Sequence, residues 1–264
     1  MLDRVLAQRF DRRMISGKTG PCQLACERAN GEEVEVVAKY SAGCERGIGG
    51  LVSEAIGAML AADLDLPVPE PVLVDFDDNF VATLPASEAA LTSRLLRSSH
   101  VAFGSAKLPA GYSLLPAGKN IPAAVRQQAA EIFAFDCLIQ NPDRRPENPN
   151  LLFDGRSFAI FDHELAFMTT GIIGWRPPWQ TGALQNIGSA THTLFNGLSG
   201  RRYDFARLLG AWQTVSDIRL VEYRNALPTE WNAGGDAVDE ALALIASVRN
   251  NIEPAMAEVV RVLA

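Results

Sequence analysis

Lysine is nearly missing from this chain. Of its 24 basic residues only Lys18, Lys39, Lys107 and Lys119 are lysines, and the formal net charge is −7. A protein that coats nucleic acid needs a basic face, so direct nucleic-acid binding is not expected. An anionic small ligand stays open, because one local cluster of positive charge is enough for it. Cysteine is also scarce. Cys22, Cys26, Cys44 and Cys137 show no framework spacing, and 264 residues bury enough surface to fold without disulfide staples. His100, His163 and His192 lie far apart, which argues against a zinc site built on Cys22 and Cys26. Buried free thiols in a cytoplasmic protein are expected instead. No apolar run reaches the ~18 residues of a membrane span, so no membrane insertion is expected. The opening MLDRVLAQRFDRRMISG is charged throughout, without an apolar h-region, so no secretory leader is expected.

The remaining pattern is that of a globular protein with an α+β order. QLACER (23–28) and VEVVAKY (34–40) flank Asn30-Gly31, a hairpin dipeptide. Residues 51–64 have helical apolar spacing, and the prolines of LPVPEP end that helix. VLVDF (72–76) and FVATL (80–84) read as strands, and 86–98 as a helix. Residues 103–122, rich in Gly and Pro, read as an irregular surface segment. A strongly apolar helix is expected over 123–140, then a hairpin of 151–153 and 158–161 about Asp154-Gly155. Residues 165–200 read as loop, with Trp175 and Trp179 either packing or forming a substrate platform. From 203 onward the pattern is helical. The division falls near residue 85, between a β-rich part, 1–85, and a mostly helical part, 86–264.

Two Gly-rich stretches mislead. Gly17-Lys18-Thr19 looks like the end of a P-loop, but that pattern needs Gly at position 12, which is Arg12. Gly43 to Gly50 does not spell a dinucleotide fingerprint.

Three features carry chemistry. Lys39 ends an apolar strand, where lysine is unusual. It is either an ordinary strand-end lysine or a phosphate ligand held by an acid of the next helix, for which Glu54 is the candidate. Asp143 and Asn148 stand five apart in NPDRRPENPN, after a long helix and before a hairpin. That is a proline-rich turn or a loop in which the Asp addresses a nucleophile and the Asn a metal. Asp162 follows the hairpin, 19 residues beyond Asp143. It is an exposed strand end or a carboxylate that, with Asn148, holds Mg²⁺ on nucleotide phosphates. Glu164 is a second metal carboxylate or a surface acid. SGKTGP lies between the first two strands, which would set the backbone N–H groups of Ser16, Gly17, Lys18, Thr19 and Gly20 near those phosphates. Arg144 and Lys18 are further candidate phosphate cations.

Over about 15–165 the chain resembles the HipA-like kinases, particularly their short single-chain subgroup. The stretches that carry this are SGKTGPCQLACERANGEEVEVVAKY, the Glu54 helix with LPVPEP after it, and FAFDCLIQNPDRRPENPNLLFDGRSFAIFDHELAF. The phosphoinositide kinases share a related Asp-Arg loop. The resemblance implies a two-lobed protein-kinase-like fold and transfer of the ATP γ-phosphate, in some members to Ser/Thr of proteins. By the same resemblance Asp143 is the catalytic residue, Asn148 and Asp162 bind Mg²⁺, and Lys39 binds phosphate. The expected function is therefore an ATP- and Mg²⁺-dependent phosphotransferase acting on a hydroxyl of an unknown acceptor. Two alternatives are a small-molecule kinase, since Asp162-His163-Glu164 resembles a motif of aminoglycoside and choline kinases, and a non-catalytic nucleotide-binding regulatory module.

Overall fold

Asn30 and Gly31 turn the chain between two strands, with Gly31 at φ 84°, a left-handed value that favours glycine. The strands are β2 (Cys22–Arg28) and β3 (Glu33–Lys39), and β1 (Asp3–Arg13) pairs antiparallel with β2. This computed structural model describes residues 2–14, 19–116 and 118–264. Two further strands, β4 (Pro71–Asp75) and β5 (Val101–Ala106), close a barrel in the order β1-β2-β3-β5-β4. Only the β1–β4 pair is parallel within it. Val5, Leu24, Val36, Val72 and Val74 fill its interior, all essentially buried.

Two sequence expectations change here. FVATL (80–84) is not a strand. Residues Asp78–Ala82 form helix α2, because the Asp77 carboxylate accepts the Phe80 N–H at 2.8 Å and caps the turn. The stretch expected to be irregular from 103 instead contains most of β5, which lies beyond residue 85. The signal was hidden by Gly104, a poor strand former. The barrel needs glycine there, since a Cβ would lie 2.7 Å from Val74 and 2.9 Å from Val72. Between β4 and β5, after α2, runs α3 (Ala89–Leu95).

Helix α1 (Ile48–Asp63) is buried on nearly every face, from Gly50 to Ala61. It packs against β4 and β5 of the barrel and against α8 (Gly235–Asn250). After β5 come a short β6 (Ser113–Leu114), α4 (Arg126–Leu138), and the hairpin β7 (Leu151–Phe153) and β8 (Phe158–Ile160). The strands β6, β7 and β8 form a second small sheet. Residues 165–194 are turns and loops, followed by α5 (Phe195–Leu198), α6 (Ala206–Thr214), α7 (Asp217–Ala226), α8 and α9 (Ile252–Leu263). Phe133, Trp212, Tyr223 and Ile245 belong to the large core that these helices share with α1. Among the described residues no helix is long and apolar enough to cross a membrane.

Candidate active site

Lys39 is the last residue of β3 and only 8% exposed. A buried ammonium needs partners, and it has two. Its Nζ pairs with Glu54 Oε1 and, at 2.7 Å, with Asp162 Oδ1. Burial works against the charge, yet the two carboxylates outweigh it and hold the amine well above its usual range. Glu54 stands in the middle of α1, fully packed, and burial pushes its carboxyl up to about 7 against the pull of Lys39. Its second oxygen accepts the His163 N–H at 2.8 Å. So the strand lysine, the helix acid and the segment after β8 meet in one cluster.

That segment rests on bare helix backbone. A Cβ on Gly50 would come 2.9 Å from Glu164 Cγ, and one on Gly57 would come 2.7 Å from His163 Cβ. Glycine inside a helix costs about 1 kcal/mol relative to alanine, and here it lets the chain approach. Asp162 takes a left-handed φ of 65°, uncommon for a residue with a side chain. Burial alone would raise its carboxyl, but Lys39 outweighs that and holds it below the usual range. Glu164 Oε1 accepts the Glu45 N–H at 2.6 Å, and burial raises its carboxyl. Oxygens of Glu54, Asp162 and Glu164 lie within 4.8 Å of one another, a set that could hold a hard cation.

The loop after α4 is built around Asp143. Its Oδ1 accepts from Arg145 at 2.9 Å, and its Oδ2 accepts from the side-chain amides of Asn148 at 2.7 Å and Asn150 at 3.1 Å. Its own N–H reaches Asn141 Oδ1 at 3.2 Å. Asn150 is the hinge between the two halves of the site. It adopts φ 44°, and its carbonyl accepts from Phe161 N–H at 3.3 Å, next to Asp162.

The placement differs from expectation at Arg144. Arg144 does not face a ligand space. Its guanidinium is wholly buried, paired with Asp136 of α4 at 2.5 Å and bonded to the Asn150 and Phe161 carbonyls. A desolvated arginine with its donors already used is a strut. Asn148 turns its amide N–H to Asp143, and Glu164 lies with Glu54 and Asp162 in the carboxylate cluster. Thr19 and Gly20 have their carbonyls bonded by Arg94 of α3. Ser16, Gly17 and Lys18 lie outside the described residues.

Sequence reading missed Asp136 and His192. Asp136 is 0% exposed and bonds Arg144, Asn141 and His192. His192 Nδ1 accepts the Leu194 N–H at 3.2 Å, so its proton sits on Nε2 and is donated to Asp136 at 3.1 Å. Burial should raise the Asp136 carboxyl, but Arg144 and His192 hold it well below its usual range. The one sequence signal was a charged residue inside an apolar helix, FAFDCL.

A family model described as HipA-like kinase matches residues 8–172. No curated protein matches the chain. Among solved structures, the Helicobacter pylori proinflammatory kinase CtkA aligns with a TM-score of 0.50 at 12% identity, covering 96% of each chain. The open conformation of CtTel1 aligns at TM-score 0.31 and 11% identity, over 97% of this chain and 12% of that one.

Proposed function

The chain belongs to the HipA-like kinase family, and we propose that it transfers the γ-phosphate of ATP, with Mg²⁺, to a Ser or Thr hydroxyl of a protein. The observation that carries this reading is the charge balance of the cluster around Lys39. Three mutually close carboxylates, Glu54, Asp162 and Glu164, face one ammonium. A divalent cation balances that excess, and the all-oxygen donor set suits Mg²⁺.

In this reading the nucleotide lies in a cleft between the barrel, which carries Lys39, and the helical part, which carries Asp143. Lys39 binds phosphate oxygens, and Glu54 holds it in place. Asp162, 2.7 Å from Lys39 Nζ, would hold the metal, with Glu164 as a second carboxylate. Asn148 spends its amide N–H on Asp143, which leaves its carbonyl oxygen for the metal. Bound there, Mg²⁺ supplies charge neutralisation on the phosphate oxygens. Asp143 accepts the proton of the acceptor hydroxyl, and its three side-chain donors aim the carboxylate. Arg144 acts from behind, fixing the loop. Four free thiols suit a cytoplasmic setting.

Transfer of label from γ-³²P-ATP with Mg²⁺ tests this directly. Asp143→Ala should lower transfer at least ~100-fold and leave nucleotide binding nearly intact. Asp162→Ala should weaken Mg²⁺-dependent ATP binding itself. Full turnover by Asp143→Ala would overturn the assignment.

A further inference from the structure

A cavity of about 730 Å³ opens beside this site, between the 169–179 loop and α8 from Asp236 to Ser247. Its walls include Trp175 and Trp179, with Asp236, Asp239 and Glu240 on one side and Arg46 as the single cation. Arg46 is already engaged, bonded to Ser53 at 3.1 Å and 3.8 Å from Glu240. Glu240 turns its other oxygen to the N–H groups of Thr169 and Thr170, each at 2.6 Å. Asp239 meets Arg224 only at the exposed surface, where such pairs are weak. Asp236 is exposed and has no ion-pair partner among the described residues.

The cavity is joined to the reacting groups on two sides. The Trp175 indole N–H donates to Gln140 at 3.2 Å, and Gln140 immediately precedes Asn141, which accepts the Asp143 N–H. Arg46 follows Glu45, whose N–H is bonded to Glu164. On the outer rim, Gly171 and Gly174, both at left-handed φ, present Ile172 and Ile173, 46% and 102% exposed. The Trp175 N–H closes that turn on the Ile172 carbonyl at 3.2 Å.

Resting on the phosphotransferase reading, we propose that this cavity is the acceptor-docking site and takes the arginine or lysine side chain of a basic protein segment flanking the phosphorylated hydroxyl. The partly buried indoles of Trp175 and Trp179, the unpaired Asp236 carboxylate and the weakly paired Asp239 together suit a guanidinium or ammonium. The exposed isoleucine tip lies outside the cavity, so a ligand that touches both must be a chain longer than a small polycation. The excess negative charge of the walls disfavours acidic acceptors.

The test uses the full chain and two peptides, Ala-Arg-Arg-Arg-Ala-Ser-Ala-Arg-Arg-Arg-Ala and its counterpart with Gln at every Arg. Binding is followed by intrinsic tryptophan fluorescence without nucleotide, since Trp212 and Trp231 are buried and Trp175 and Trp179 are not. The Arg peptide should bind about tenfold more tightly at low salt, combining one cation–π contact with exposed ion pairs. Asp236→Asn with Asp239→Asn should abolish most of that preference, as should Trp179→Ala, with Mg²⁺–ATP affinity unchanged. Equal binding of the two peptides would overturn the proposal. So would a preference that survives the double variant, or spermidine binding as tightly as the Arg peptide. Failure to bind ATP or transfer phosphate would instead overturn the phosphotransferase reading, because the peptide measurement needs neither.

Discussion

Gly57 of helix α1 and His163 of the segment after β8 pack backbone against side chain, so closely that a Cβ on Gly57 would lie 2.7 Å from His163 Cβ. Gly50, Glu54 and Gly57 share one helix face. The two glycines clear the space in which Glu54 alone reaches Lys39 and the His163 N–H.

Gly57→Ala should therefore damage the site although alanine is the better helix former. The propensity gain is about 1 kcal/mol, while overpacking a filled contact costs about 1–3 kcal/mol. The His163 backbone must shift, and Asp162 moves with it. We expect a lower phosphotransfer rate in Gly57→Ala. Gly49→Ala is the control, since its Cβ would meet Ala237 at an ordinary 3.4 Å. Steady-state kinetics of the two variants checks the contrast; equal activity would show that the close approach is unimportant.

Asp136 should matter as much to stability as to rate. Removing one partner of a wholly buried ion pair costs about 3–5 kcal/mol, because the other charge is left unpaired. Asp136→Asn leaves the Arg144 guanidinium buried beside a neutral amide. Urea unfolding should show a loss of that size. Asp136→Leu combined with Arg144→Met should recover part of it, since the stranded charge is then gone.

His163 should give stability a pH dependence. Burial pushes its pKa down to about 3, and its Nε2 has no hydrogen-bond partner. The unfolded chain binds a proton below about 6.5 and the folded chain does not. Stability from this group is thus present above pH 6.5 and lost as pH falls towards 3. Across that window the difference between the parent chain and His163→Gln should rise with pH by about 1.4 kcal/mol per unit, and it should flatten above pH 7. Urea midpoints at pH 4.5, 5.5, 6.5 and 7.5 measure it.

Lys39→Met tests the opposite sign. It removes the cation from among Glu54, Asp162 and Glu164. Glu54 is already pushed up to about 7 with Lys39 present, and without it the carboxyl rises further. A raised acid holds its proton in the folded chain, so stability is gained as pH falls through 7 towards 4.5. The variant should be strongly destabilised at pH 8 and closer to the parent at pH 5. Thermal melts at the two values, without nucleotide, decide it.

Much of the path to the site was readable in the chain. Asn30-Gly31 turns the hairpin, Lys39 ends a strand, Glu54 sits in the following helix, and Asp143 and Asn148 share a loop before the β7–β8 hairpin. These are local facts, set by turn chemistry and by apolar spacing along a few residues. Arg144 was misjudged because its sequence neighbours are polar, whereas its contacts come from Asp136 and from carbonyls of Asn150 and Phe161. Strand β5 was missed because Gly104 lowers strand propensity, and only the closeness of Val72 and Val74 explains its presence.

Residue order alone was enough to name the candidates and their local elements. The folded chain decided which of them meet. Lys39 and Asp162 are 123 positions apart and 2.7 Å from each other, and no spacing rule reaches that far. Burial then decided their chemistry. In the desolvated face of α1 each carboxylate feels its neighbours more strongly than water would allow, so Glu54, Asp162 and Glu164 behave as one charged cluster around a single lysine.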